Sequence, residues 1–90
     1  MMYKVEIGPD ALRELDKLDP QIARRILKFL YERLRPLEDP RSIGAALAGS
    51  QLGEFWKYRV GDYRIIASIE DDVLTVLIVS IGHRRLVYRR

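Results

Sequence analysis

The sequence contains no cysteine, which removes disulfides, thiolate-ligated zinc and thiol nucleophiles together. It fits a reducing cytoplasm. Long hydrophobic runs are also missing. The longest apolar stretch, around Val76 to Val79, is far short of the about 20 residues a membrane span needs. Charges at Lys4 and Glu6 interrupt the N-terminus where an export signal requires an apolar segment. A soluble, unexported, cytoplasmic protein is expected. Histidine occurs once, as His83, and without cysteine this leaves a poor nitrogen and sulfur ligand set for a metal centre. No metal and no cofactor is therefore expected. Repeats and low-complexity tracts are absent as well.

What remains is enough for one domain over residues 1–90. Apolar residues make up 48% of the chain, above the disordered range. A chain of this length buries roughly 60–65% of the surface its unfolded form exposes, so its core is thin. Sixteen Lys and Arg face thirteen Asp and Glu, a formal charge of +3. The distribution says more than the total. Residues 81–90 carry Arg84, Arg85, Arg89 and Arg90 beside His83, with no acid among them. Such a cluster is the footprint of a polyanion site, although a solvated tail has the same composition.

The pattern along the chain predicts β-α-α-β-β-β. Tyr3 to Ile7 alternates as a short strand. Pro9 suits a first helical turn, where its missing N–H is not needed, and Ala11, Leu12, Leu15 and Leu18 share a face of that helix. Asp19 then caps a second helix that begins at Pro20 and runs to about Arg35. Its stripe is Ile22, Ala23, Ile26, Leu27, Leu30 and Leu34. The opposite face, with Arg24, Arg25, Lys28, Glu32 and Arg35, fits a strip that faces ribosomal RNA, although a solvated helix face is the simpler reading. Residues 36–53 read as a connection with at most a short helical piece near Ile43 to Leu47. Glu54 to Val60, Tyr63 to Glu70 and Val73 to Ile81 read as strands joined by two-residue turns at Gly61-Asp62 and Asp71-Asp72. Gly61 suits a type II′ hairpin. The expected architecture is α+β, a helical hairpin packed on one face of a small antiparallel-rich sheet.

A two-residue turn at Gly61-Asp62 pairs Arg59 with Arg64. Side-chain alternation then sends Trp56, Tyr58, Val60, Tyr63 and Ile65 toward the helices. It sends Phe55, Lys57, Arg59, Arg64 and Ile66 to the other face. Two guanidiniums directly opposite each other cost a few tenths to about 1 kcal/mol, unless an anion sits between them. Arginine is suited to bidentate phosphate contact. Gly82-His83-Arg84-Arg85 follows the last strand and Tyr88 comes soon after. Cations, an imidazole and a phenol are thus expected on one surface, where aromatic rings beside arginines can grip single-stranded RNA.

The blocks Trp56-Lys57-Tyr58-Arg59-Val60-Gly61-Asp62-Tyr63-Arg64-Ile65-Ile66 and Ile81-Gly82-His83-Arg84-Arg85-Leu86-Val87-Tyr88-Arg89 closely resemble the paired signature of the RelE/ParE toxin superfamily. The element order resembles it too. The resemblance implies a toxin of a type II toxin–antitoxin system, a metal-free endoribonuclease that enters the ribosomal A site and cleaves messenger RNA. The ribose 2′-OH attacks, leaving a 2′,3′-cyclic phosphate and a free 5′-OH. It implies that Lys57 and Arg59 take the place of the family's paired basic residues, Arg64 of its phosphate-stabilising arginine, Arg84 of the arginine after the last strand, and Tyr88 of its C-terminal tyrosine. Arg59 departs from members that carry a second lysine. The chain also ends at Arg90, without the additional C-terminal helix of some members. Guanidinium groups stay protonated, so the arginines suit charge stabilisation rather than proton transfer. Lys57 or Tyr88 can act as base only with a pKa lowered by the dense positive field, and His83 is a candidate acid or base because imidazole titrates near neutrality. Partners implied are a RelB-like antitoxin, in a hetero-oligomer with the toxin, and the ribosome with its message. Two alternatives are a ParE-like inhibitor of DNA gyrase without nuclease activity, and a catalytically inactive module that binds only an antitoxin.

Overall fold

The computed structural model describes residues 3–47 and 55–83. The chain begins with strand β1 (Lys4–Ile7) and turns directly into helix α1 (Pro9–Lys17). Gly8 sits at the junction, where its N–H donates to the Ile78 carbonyl at 2.8 Å. Helix α2 starts at Pro20, and the Asp19 carboxylate accepts from the Gln21 N–H at 2.9 Å. That side-chain acceptor satisfies one of the orphan donors at the helix start. The α-helical winding holds through Lys28 and then widens to a π-helix over Phe29–Leu34, where the Arg35 N–H reaches the Leu30 carbonyl five residues back. The expected helix of about fifteen residues is therefore present in extent, with a change of pitch that the apolar stripe does not reveal.

Among the described residues, five strands form one mixed sheet in the order β1-β5-β4-β3-β2. They are β1, β2 (Ala45–Ala46), β3 (Phe55–Val60), β4 (Tyr63–Glu70) and β5 (Thr75–His83). β1 runs parallel to β5, and the remaining neighbours are antiparallel. Ala11 and Leu15 of α1 and Ile26, Leu30 and Leu34 of the second helix are buried with Val5, Tyr58, Ile65, Ala67, Val76, Ile78 and Ile81 of the sheet. These strand residues lie on one face, so the two helices pack on that side, as the binary pattern requires. Leu12, grouped by periodicity with the buried stripe of α1, is exposed instead.

Several expectations are corrected. The helical piece in the connection is a 3-10 turn at Pro40–Ile43, earlier than Ile43 to Leu47, and Ala45–Ala46 is the edge strand β2. β5 starts at Thr75 rather than Val73. The chain between β4 and β5 is not a two-residue turn: Asp71–Val73 forms a 3-10 turn and Leu74 takes a left-handed φ of 48°. Glu70 pairs with Thr75 across this four-residue link. Finally, β5 carries a bulge. Ile66 pairs with Ser80 but Ala67 pairs with Ile78, which leaves Val79 as an extra residue. The bulge lets Val76, Ile78 and Ile81 all face the core, although their spacing is not a uniform two.

The segment before β2 is pinned to the sheet at two points. The Tyr58 hydroxyl donates to the Pro40 carbonyl at 2.6 Å in a buried contact. Arg41 bonds Asp71 at 2.7 Å and lies over the Trp56 ring at 5.8 Å. The Tyr3 hydroxyl donates to the same carboxylate at 2.6 Å. These two bonds, first Tyr3 and then Arg41, hold the Asp71 carboxyl below its ordinary pKa.

Candidate active site

The β3–β4 hairpin follows its turn chemistry. Gly61 has φ +59° and Asp62 is not among the positive-φ residues, which is the type II′ arrangement. Val60 pairs with Tyr63, Arg59 with Arg64, Tyr58 with Ile65 and Lys57 with Ile66. The register expected from the sequence is the register observed. Lys57, Arg59 and Arg64 consequently project from the face opposite the helices.

They meet in one cleft of about 350 Å³, lined by Ile43, Gly44, Ala45, Lys57, Tyr58, Arg59 and Arg64. Among the described residues, the lining contains three cations and no carboxylate. Lys57 is half-buried and Arg59 exposed. Arg64 is only 8% exposed, so it does not splay into water. The wall formed by Ile43 to Ala45 is what closes the cleft over this face. Sequence reasoning missed that wall, and the one signal for it is Gly44 followed by two alanines, small enough to approach the sheet. Gly44 lies so close that an added Cβ would be 2.7 Å from Tyr58 Cε1. The cleft can hold an anion, and a largely desolvated guanidinium binds one more strongly than an exposed guanidinium does.

His83 stands elsewhere. It pairs with Tyr63, and the two rings meet edge to face with centroids 5.2 Å apart. Tyr63 and Ile65 share the helix-side face of β4, so His83 belongs to that face and not to the face of Lys57, Arg59 and Arg64. The bulge at Val79 is the cause. An unbroken alternation from Val76 and Ile78 would have sent His83 to the cleft side. The expected meeting of imidazole and guanidiniums on one surface is thus not what the structure has. Arg84 and Tyr88 lie outside the described residues, as do Arg85, Arg89 and Arg90.

A second and larger depression adjoins the first. A groove of about 570 Å³ runs between the second helix and the β3–β4 turn, and Arg59 lines both. Among the described residues no helix is long and apolar enough to cross a membrane.

Comparison with known proteins gives this arrangement its place. The family model described as "ParE toxin of type II toxin-antitoxin system, parDE" matches residues 5–88. Toxin RelG of Mycobacterium tuberculosis is 34% identical over 90 residues, covering all of both chains. Toxin RelE of the same organism is 33% identical over 87 residues, which covers 97% of this chain and 87% of the relative. Among solved structures, a chain of a RelBE toxin–antitoxin complex from Mycobacterium tuberculosis superposes with a TM-score of 0.82 at 31% identity, covering 93% of this chain and all of that one. A mutant of the Escherichia coli toxin RelE in the free state gives a TM-score of 0.75 at 26% identity, covering 96% and 87% of the two chains. The chain belongs to the RelE/ParE toxin superfamily. Within it, the protein is a type II toxin–antitoxin toxin of the RelE family.

Proposed function

We propose that the protein is a ribosome-dependent endoribonuclease that cleaves messenger RNA in the A site without a metal, acts in the cytoplasm, and is held silent by a RelB-like antitoxin in a hetero-oligomer. The observation that carries this reading is the convergence of Lys57, Arg59 and Arg64 in one cleft whose described lining has no carboxylate. A cleft of that charge suits a phosphodiester more than a protein surface. The antitoxin partner is supported by the solved RelB–RelE complexes of similar chains from Mycobacterium tuberculosis and Pyrococcus horikoshii.

In this mechanism the scissile phosphate enters the cleft and is gripped by Arg64, the more shielded from water of the two arginines that line it. The neighbouring ribose 2′-OH loses its proton to a base and its oxygen bonds to phosphorus. The P–O5′ bond breaks, and the 5′-oxygen takes up a proton as it leaves. The products are a 2′,3′-cyclic phosphate and a 5′-OH. Negative charge grows on the non-bridging oxygens between these events, and Arg64 and Arg59 stabilise it. Removing one such contact in a preorganised site costs about 2.7–4 kcal/mol, or 10²–10³ in rate. Lys57 stands one step along the strand and is the base candidate within the cleft. Arg84 and Tyr88 complete the proposed set, as a second phosphate contact and as the group that aligns base and hydroxyl. His83 remains a candidate acid or base, and its place on the helix-side face weighs against it.

Cleavage of a message bound to programmed bacterial ribosomes tests this reading, with wild type compared against Arg64→Ala and Arg84→Ala. Cuts within the A-site codon bearing cyclic-phosphate ends, reduced about a hundredfold or more in the variants, are expected. A folded, antitoxin-binding wild type that cuts nothing would transfer the assignment to gyrase inhibition or to antitoxin binding alone. Unchanged cleavage in His83→Gln would remove the imidazole from the chemistry.

A further inference from the structure

The arginine and lysine face of the second helix is not simply solvated. Arg25, Lys28, Phe29, Glu32 and Arg33 recur at the spacing that places residues on one helix face, and all five line the 570 Å³ groove opposite Arg59. Four cations therefore face a single carboxylate. Among the described residues, Arg25 and Lys28 make no ion pair within 4.0 Å. Arg33 lies over the Phe29 ring at 5.9 Å, a cation–π contact that orders its guanidinium beforehand. The Arg25 guanidinium lies 3.4–3.6 Å from where a Cβ on Gly61 would stand, which places it directly against the turn. The volume is within the range of about 300–1,000 Å³ typical of ligand sites.

We propose that this groove is a second phosphate-binding site, which takes the stretch of RNA that flanks the scissile phosphate. The proposal rests on the nuclease reading for the identity of the strand. Continuity is the argument: Ile43 and Arg59 line both depressions, so the two adjoin and a strand leaving the Lys57/Arg59/Arg64 cleft past Arg59 arrives at the groove. Arginine forks and a lysine point charge are the groups that hold phosphate oxygens. A docked peptide helix would need a broad apolar floor, and the groove offers Phe29, Ile43 and Val60 among head groups. Binding here positions the substrate and takes no part in bond making.

The test uses the full chain and the variant R25Q/K28Q, both exposed positions. Binding of a labelled single-stranded RNA, made uncleavable by a 2′-deoxy substitution at the scissile ribose, is followed by fluorescence anisotropy across a salt series. Each lost phosphate contact lowers the log–log salt slope by about 0.7 for a single strand, so a fall of about 1.4 and a ten- to thirtyfold weaker affinity near 0.1 M salt are expected. In single-turnover cleavage on programmed ribosomes, the toxin concentration giving half-maximal rate should rise by a similar factor while the maximal rate stays within about twofold. Wild-type affinity and slope in R25Q/K28Q would overturn the proposal. So would a variant that binds RNA normally but loses affinity for an acidic antitoxin peptide, which would make the groove a protein interface. Failure of the wild type to cleave would instead defeat the nuclease reading. The groove would then stand or fall on the anisotropy slope alone.

Discussion

Replacing Gly44 with alanine isolates the fit between the cleft wall and the sheet. The backbone there, φ −109° and ψ 178°, is ordinary extended chain that alanine adopts freely. Loss of unfolded-state freedom alone would make the substitution stabilising by about 0.4–1 kcal/mol. The structure predicts the opposite sign. The new Cβ would lie 2.7 Å from Cε1 and 3.0 Å from Cζ of Tyr58, and 3.3 Å from the Lys57 carbonyl oxygen. The ring cannot swing aside, because its hydroxyl is fixed to the Pro40 carbonyl at 2.6 Å and Phe29 packs with its centroid 6.0 Å away. Overpacking of this kind costs about 1–3 kcal/mol, leaving a net loss of about 1–2 kcal/mol after the chain-entropy gain. For a domain of this size each kcal/mol is worth roughly 4–8 °C, so Tm should fall by roughly 5–15 °C. Thermal melts followed by far-UV circular dichroism read this directly. In a Tyr58→Leu background the ring is gone and most of the Gly44→Ala penalty should vanish, a coupling of about 0.5–3 kcal/mol in a double-mutant cycle. A Gly44→Ala protein as stable as wild type, or an equal loss in both backgrounds, would refute the account of the wall. The same displacement moves Ile43 and Ala45 relative to Arg64, so cleavage should weaken with stability.

Two further outcomes follow from groups in the same hairpin. Arg59→Thr relieves the facing guanidiniums and should raise stability in urea unfolding by a few tenths to about 1 kcal/mol, while ribosomal cleavage falls. A loss of both would mean that the pair carries no repulsion. Burial pushes the Tyr58 phenol up from 10.0 to about 12. A folded value above the unfolded one means that its contribution is complete below pH 10 and is lost as pH rises through 12. Alkaline unfolding of wild type should therefore show a sigmoidal loss across that window, with the Tyr58→Phe variant flatter over the same range.

The hairpin was legible because a glycine at the first turn position and period-2 alternation constrain register locally. Those two signals alone place Lys57, Arg59 and Arg64 together. The β4–β5 link was not legible. Val73 and Leu74 are strand-type residues by composition, yet Leu74 takes a left-handed conformation that propensity assigns to glycine or asparagine. The bulge at Val79 lies within an apolar run that nothing punctuates, and a strand expected to end at Ile81 continues to His83 with that residue on the helix-side face. β2 is two residues long and has no pattern of its own. The basic groove was hidden for a different reason. By pattern its helix face suits water or RNA alike, and the groove exists only once the Gly61 turn is laid across it, a proximity that is tertiary. Arg84 and Tyr88 rest on their resemblance to the family's motif.

The parallel pairing of β1 with β5 bears on how the protein comes into being. Lys4 finds its partner in Thr75, and Ile7 in Ile78, so the first strand must wait for some seventy more residues to be made. At about 5–20 residues per second, that interval is roughly 4–14 s of synthesis. Until then, β1 and the exposed edge of an incomplete sheet have no native neighbour, and α1 lacks the strand it packs against. Contacts so distant along the chain also slow the search for the native pairing once synthesis allows it. The order of the strands thus delays completion of the core until most of the chain has left the ribosome. Until β5 is made, the β3–β4 hairpin that carries Lys57, Arg59 and Arg64 likewise lacks its other neighbour in the sheet.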